Sequence, residues 1–300
     1  MKKILALLLT LLLALPALAA GETAVASFYP VYVFALNLAD GIEGVNVRLL
    51  APAATGCLHD YQLQTSDMKA LAAADVFLIN GAGMESFLPL ISEALPSLAV
   101  VDASQGVALL YGGHSHEHAH EDHSHEHEGE APNAHIWLDI GNAKVMVRNL
   151  CEGLADAWPQ HRAALEANRD AYLARLDALD AQLCAGLEGI ATRDVVTFHE
   201  AFPYFAQAYG LHVVAVVNRE PGDALSPAEL VRLVRAVQEA GNPPMFVEPQ
   251  YDDVAAETIA LETGAGIYTL DPAVTGPEGK MDQYEQVMLQ NLYTLQQALH

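Results

Sequence analysis

Histidine is the residue type that could do the most chemistry in this chain, because a neutral imidazole binds borderline-soft cations such as zinc near neutral pH. Seven of the 13 histidines, His114, His116, His118, His120, His123, His125 and His127, alternate with Glu117, Glu121, Asp122 and Glu126. The run has no apolar periodicity to bury it, so it reads as an exposed loop offering many weak, overlapping metal sites of two or three ligands. Its place in mid-chain, with acids interleaved, speaks against an expression tag. His135 is of another kind. It follows Pro132-Asn133 and enters the apolar run Ile136-Trp137-Leu138, at the edge of packed structure.

His59, His199 and Asp271 are the other candidate ligands, and each matters only if a fold gathers it. A single histidine beside an apolar strand is most often a hydrogen-bonded structural residue, and Asp271 before Pro272 could simply start a turn. Glu248 is the rival for a fourth ligand position. Cys57, two residues before His59, is a soft donor held in reserve. A metalloprotease helix is excluded at His199-Glu200, because His-Glu-x-x-His is broken by Pro203.

The elements that would position these residues alternate along the chain. Strands are expected at Thr23–Phe28, Val45–Leu50, Val76–Ile79 and Leu98–Val101, with helices at Val31–Leu38, Met68–Ala73 and Glu85–Ala94 between them. From Gly141 the pattern turns helical. One helix stops before Trp158-Pro159, and a second runs from about Gln160 to Leu187 without an internal break until Gly186, roughly 40 Å long. Strand and helix then alternate again, with strands at Val195–Phe198, Leu211–Val217, Pro244–Val247 and Gly266–Thr269. Ser226 and Glu229 have capping-box spacing at the start of one helix. The expected fold class is therefore α/β, with two parallel-sheet lobes joined by a long bridging helix. Ligands in such sheets bind beyond the carboxyl ends of strands, which is where His59, His199, Glu248 and Asp271 fall.

The composition agrees with this picture. Three hundred residues suggest two domains, and 52% apolar residues supply cores for both. Met1-Lys2-Lys3, the apolar stretch from Ile4 to Leu15 and Ala17-Leu18-Ala19 form a cleavable secretory signal, residues 1–20, too short in its apolar part to span a membrane comfortably. No cysteine near the cleavage site marks a lipid anchor. The expected boundaries are a first lobe at 21–140 containing the His-rich loop 112–131, a helical region at 141–190 and a second lobe at 191–300. A net charge of −24 with histidine neutral disfavours nucleic acid and anionic membrane as partners and favours cations. Cys57, Cys151 and Cys184 are an odd set, so at least one thiol stays free. Their pairing is open.

Five segments in order carry a resemblance over the whole mature chain. They are His59-Asp60-Tyr61 with Ser66-Asp67-Met68-Lys69-Ala70-Leu71 and Ala74-Asp75; Asn133-Ala134-His135-Ile136-Trp137-Leu138-Asp139; Thr197-Phe198-His199-Glu200-Ala201-Phe202-Pro203-Tyr204-Phe205; Phe246-Val247-Glu248-Pro249-Gln250; and Tyr268-Thr269-Leu270-Asp271-Pro272. The chain resembles the periplasmic metal-binding solute receptors of ABC importers, the zinc members most. The resemblance implies a site in the interlobe cleft with His59, His135 and His199 as imidazole ligands and Asp271 as the carboxylate. Some zinc members place Glu before the first histidine, where this chain has Leu58, so Glu248 or water remain alternatives for the fourth place. The acidic His-rich insertion is similar to that of zinc receptors.

The expected function is capture of Zn²⁺ outside the cytoplasm and delivery to an ABC permease, by a monomer that is not an enzyme. The alternatives are a manganese or iron receptor of the same family, a zinc-dependent hydrolase, or a surface adhesin on the same scaffold. Three nitrogen ligands favour zinc over manganese, which prefers oxygen.

Overall fold

The computed structural model describes residues 21–56, 58, 61–111, 131–217, 226–250 and 254–300. The expected signal segment, Cys57, His59 and the seven clustered histidines lie outside the described residues. In the first half, β1 (Glu22–Ala26), α1 (Tyr29–Ala39), β2 (Val45–Leu49), α2 (Thr65–Ala72), β3 (Val76–Ile79), α3 (Leu88–Ala94) and β4 (Ala99–Asp102) follow one another. The strands form a parallel sheet in the order β2-β1-β3-β4. Every residue of β3 is buried, as expected of an inner strand covered on both faces, whereas the edge strand β2 keeps alternate residues in solvent.

Two helices follow, α4 (Ile140–Ala157) and α5 (Arg162–Gly186). The second half then repeats the first: β5 (Asp194–Thr197), α6 (Pro203–Tyr209), β6 (His212–Val216), α7 (Pro227–Glu239), β7 (Met245–Val247), α8 (Val254–Thr263), β8 (Ile267–Thr269) and α9 (Gln283–Leu299). Its sheet is parallel in the order β6-β5-β7-β8. Both sheets thus have the same strand order. In each, the first strand has its successor on one side and the third strand on the other, so the connections part between them and leave a crevice at their carboxyl ends.

The cores explain why the halves stay together. One hydrophobic cluster runs from β1 and β3 through α4 and α5 to β5, β7 and α9. A smaller cluster lies on the other face of the second sheet, under α7 and α8. Pleating divides neighbouring residues between the two, since Val195 and Phe246 join the large cluster while Val196, Met245 and Val247 join the small one. Helix α5 packs on α1 of the first half and on α9 of the second. Its Arg175 bonds Asn37 of α1 and Glu285 of α9, the latter at 3.2 Å, so one side chain on the bridge ties both halves.

The structure bears out the alternation of elements and refines their ends. Helix α3 starts at Leu88, not at Glu85. Glu85 instead turns its buried carboxylate back to accept N–H bonds from Asn80 (2.8 Å) and Gly81 (3.1 Å) just beyond β3. Gly81 has φ +78°, and a Cβ there would lie 1.9 Å from Asp102 Oδ1, so this turn requires glycine. The first turn of α2 contains Asp67 instead of following it, and Asp67 reaches back to the Gln64 N–H at 2.7 Å. The capping box of α7 forms as expected between Ser226 and Glu229. The bridging helix begins at Arg162 rather than Gln160, because Pro159–His161 form a separate 3₁₀ turn. Cys151 is free and buried in α4, and Cys184 is free and exposed on α5.

Two measurements follow from this packing. Trp137 is fully buried and donates its indole N–H to the Pro272 carbonyl at 2.7 Å, across the halves. Trp137→Phe should lower the unfolding free energy by about 1–3 kcal/mol in urea titrations, and no change would mean that the bond is not under load. Burial pushes the Glu85 carboxyl up to about 7, against the pull of its N–H donors. The folded chain therefore holds a proton that the unfolded chain has released, and stability falls as pH rises from about 5 to about 8. Glu85→Gln should flatten that part of the stability curve, and an unchanged slope would assign the proton elsewhere.

Candidate metal centre

Three of the expected ligands are within the described residues, and each is placed by the end of an element. His199 stands two residues beyond β5, and Glu248 directly follows β7, the neighbouring inner strand. Asp271 stands two residues beyond β8. His135 comes from the other half, as the residue before the 3₁₀ turn Ile136–Leu138, and Asp139 then caps α4 by accepting the Gly141 N–H at 2.7 Å. The apolar Ile-Trp-Leu turn is wholly buried, which anchors the imidazole in front of it.

The two imidazoles meet. His135 and His199 are each only 3% exposed, and their ring centroids are 4.9 Å apart with the planes nearly perpendicular. The Nδ1 of each ring faces an acceptor. For His199 it is Glu248, with Oε1 at 3.2 Å and Oε2 at 3.4 Å. For His135 it is Asn133 Oδ1, at 3.1 Å. An acceptor at Nδ1 draws the ring proton there and puts the basic lone pair on Nε2, which is the preparation a metal-binding histidine needs. Glu248 Oε1 is buried and has no hydrogen bond of good geometry.

Asp271 is held from behind. Asn291 of α9 accepts the Asp271 N–H at 2.9 Å and donates to its carbonyl at 2.7 Å, while Asp271 Oδ1 accepts the Ala273 N–H at 2.8 Å. Burial raises the pKa of Asp271, and the negative charge of Glu248 raises it further against the lowering effect of the Ala273 N–H. A carboxyl group raised in this way by burial and by a neighbouring negative charge is a place where positive charge is stabilised. Among the described residues, no three histidine, cysteine, aspartate or glutamate side chains are yet gathered as a ready metal cage. His59, Cys57, His114, His116, His118, His120, His123, His125 and His127 lie outside the described residues.

Some residues that build the site carry no signal in sequence. Asn291 sits in an amphipathic helix 20 residues after Asp271, and only the packing of α9 reveals its role. Asn133 and Tyr204 stand inside legible motifs, but their partners lie 67 and 94 residues away in the chain.

The profile of the family described as "Zinc-uptake complex component A periplasmic" matches residues 24–298. The chain belongs to this zinc-uptake component A family. AdcA of Streptococcus pneumoniae, named a zinc-binding lipoprotein, is 31% identical over 279 residues, which cover 91% of this chain and 55% of AdcA. This member of the family thus spans about half the length of the AdcA relatives. ZnuA of Bacillus subtilis, named a high-affinity zinc uptake system protein, is 30% identical over 280 residues, covering 92% of this chain and 86% of that one. Among solved structures, FpvC from Pseudomonas aeruginosa, in complex with Mn²⁺, matches with a TM-score of 0.80 at 26% identity, covering 93% of this chain and 98% of FpvC. The two-lobed α/β architecture is therefore that of the zinc-uptake component A family.

The like charges at Glu248 and Asp271 can be tested without metal. In Glu248→Gln, a carboxyl ¹³C titration of the metal-free protein should show the Asp271 pKa falling toward the ordinary carboxylate range. An unmoved titration would mean that the two carboxylates do not sense each other.

Proposed function

We propose that this chain is an extracytoplasmic receptor that captures Zn²⁺ between its two lobes and presents it to an ABC permease. The observation that carries the proposal is the pairing of His135 and His199, one imidazole from each half, buried 4.9 Å apart at the crevice of the second sheet. Relatives named for zinc binding and zinc uptake support the choice of cargo. The family is one of solute receptors, which supports a binding role.

In this reading the ion is held by His59, His135, His199 and Asp271. Asp271 is the carboxylate ligand in this reading, with Glu248, which stands 3.2 Å from His199 Nδ1, or water as the alternative for the fourth place. A donor set of three nitrogens and one oxygen suits tetrahedral zinc better than manganese or iron. The lobes are 21–140 and 191–300, joined by the helical region 141–190, and the stiffness of α5 limits closure to a small rocking of one lobe on the other. Release then requires the permease to draw ligands of the two lobes apart. The histidines at 114 to 127 act as a lower-affinity metal collector or sensor. The chain is exported by cleavage of residues 1–20 and acts as a monomer. Among the described residues, no helix is long and apolar enough to cross a membrane.

Calorimetric zinc titration of three proteins tests this reading. The wild type and a deletion of residues 114–127 should both keep one tight site, and the His59→Ala, His135→Ala, His199→Ala triple variant should lose it. A tight site that disappears with the deletion and survives the triple variant would transfer the receptor role to the histidine run.

A further inference from the structure

Every polar group of Asn133 is engaged, and its bonds serve different parts of the site. Its N–H donates to the Leu110 carbonyl at 2.8 Å, and its carbonyl accepts the Tyr204 hydroxyl at 2.8 Å. The same hydroxyl accepts the Leu110 N–H at 2.9 Å, so Tyr204 of α6 clasps the two strands of chain that lead into and out of residues 112–130. The side-chain amide spans the cleft. Its Nδ2 donates to the carbonyl of Glu200, the residue after His199, at 2.7 Å. Its Oδ1 accepts the His135 N–H at 2.9 Å and lies 3.1 Å from His135 Nδ1.

The donor bond to Glu200 settles which end of the amide is which. A carbonyl can only accept, so the NH₂ group must face the second lobe and the oxygen must face His135. That oxygen can only accept from Nδ1, which puts the ring proton on Nδ1 and the lone pair on Nε2. An asparagine that merely closed a local turn would need the bond to the His135 N–H alone. The bond to Glu200 adds nothing to a turn, but it makes the orientation of His135 depend on the second lobe being in place.

We infer that Asn133 is the positioning residue of His135, selecting its Nε2 lone pair for the metal and coupling that choice to the backbone beside His199. The inference rests on the reading of His135 as a zinc ligand and assigns it a partner. At His199 the same task falls to a carboxylate, Glu248, so the two imidazoles are oriented by groups of different charge.

The test uses the full mature chain, with imidazole ¹⁵N spectra of the metal-free protein and zinc affinity by chelator competition. In the wild type, His135 should show the tautomer protonated on Nδ1. Asn133→Ala should release it toward the Nε2-protonated form and weaken zinc binding by about ten- to a hundredfold, as the loss of other such outer partners does. Asn133→Asp, which keeps an acceptor for Nδ1, should retain the tautomer, and it carries the test if the alanine variant does not fold. Tyr204→Phe should also retain it, since the amide contacts remain. His135→Ala separates the two claims. If it leaves zinc affinity intact, the ligand assignment itself fails. If it weakens binding while Asn133→Ala changes neither spectrum nor affinity, or if Asn133→Asp loses the tautomer, the positioning role alone is overturned.

Discussion

The indole of Trp137 packs edge-on against Phe28 and donates to the Pro272 carbonyl, while the Trp137 carbonyl accepts the Tyr284 hydroxyl at 2.6 Å. The turn that carries His135 therefore cannot slide against the loop that carries Asp271 without leaving buried polar groups unpaired, at about 1–3 kcal/mol for each. Phe34 extends the same lock, touching Tyr284 of α9 and Tyr172 of α5 through ring contacts. The site's precision follows from this constraint. Side chains from two lobes can act together only if the lobes hold a fixed register, and here buried rings and hydrogen bonds, which salt does not screen as it does surface charges, add to the Arg175–Glu285 pair in setting it.

Electrostatics then decide what such a crevice can accept. The chain is strongly acidic, and burial together with the charge of Glu248 disfavours ionisation of Asp271. A buried carboxylate pair is costly unless a cation or proton joins it. The imidazoles of His135 and His199 beside them have Nδ1 facing an acceptor, and nitrogen donors of this kind suit borderline-soft ions. The cost of bringing these groups together is met by the large shared core, and binding a cation would return part of it. Asn133, Glu248 and Asn291 hold their positions against His135, His199 and Asp271 through polar contacts.

Much of the fold was legible because its signals are local. Continuous apolar runs such as Val76–Ile79, the capping pair Ser226 and Glu229, and the unbroken helical pattern ahead of Gly186 all state their structure within a few residues. Element ends were less legible where a side chain left its helix for a distant partner, as Glu85 does for the N–H groups after β3. The motifs containing His135, His199, Glu248 and Asp271 could be read as strand ends and turns, but the sequence could not say that Glu248 faces a ring nitrogen of His199.

By itself, the sequence determined two α/β units, a stiff helix between them, and histidines and acids waiting at the ends of strands, since hydrophobic period, capping and turn chemistry act over neighbouring residues. It also determined the family, because five ordered motifs spread over the chain are hard to match by chance. Only the tertiary structure decided which imidazoles meet, which nitrogen of each is turned toward its orienting acceptor, and that Asn133 speaks to Glu200 across the cleft. Those contacts join residues tens of positions apart. Their geometry is fixed by how sheets and helices pack, and no local pattern along the chain encodes it.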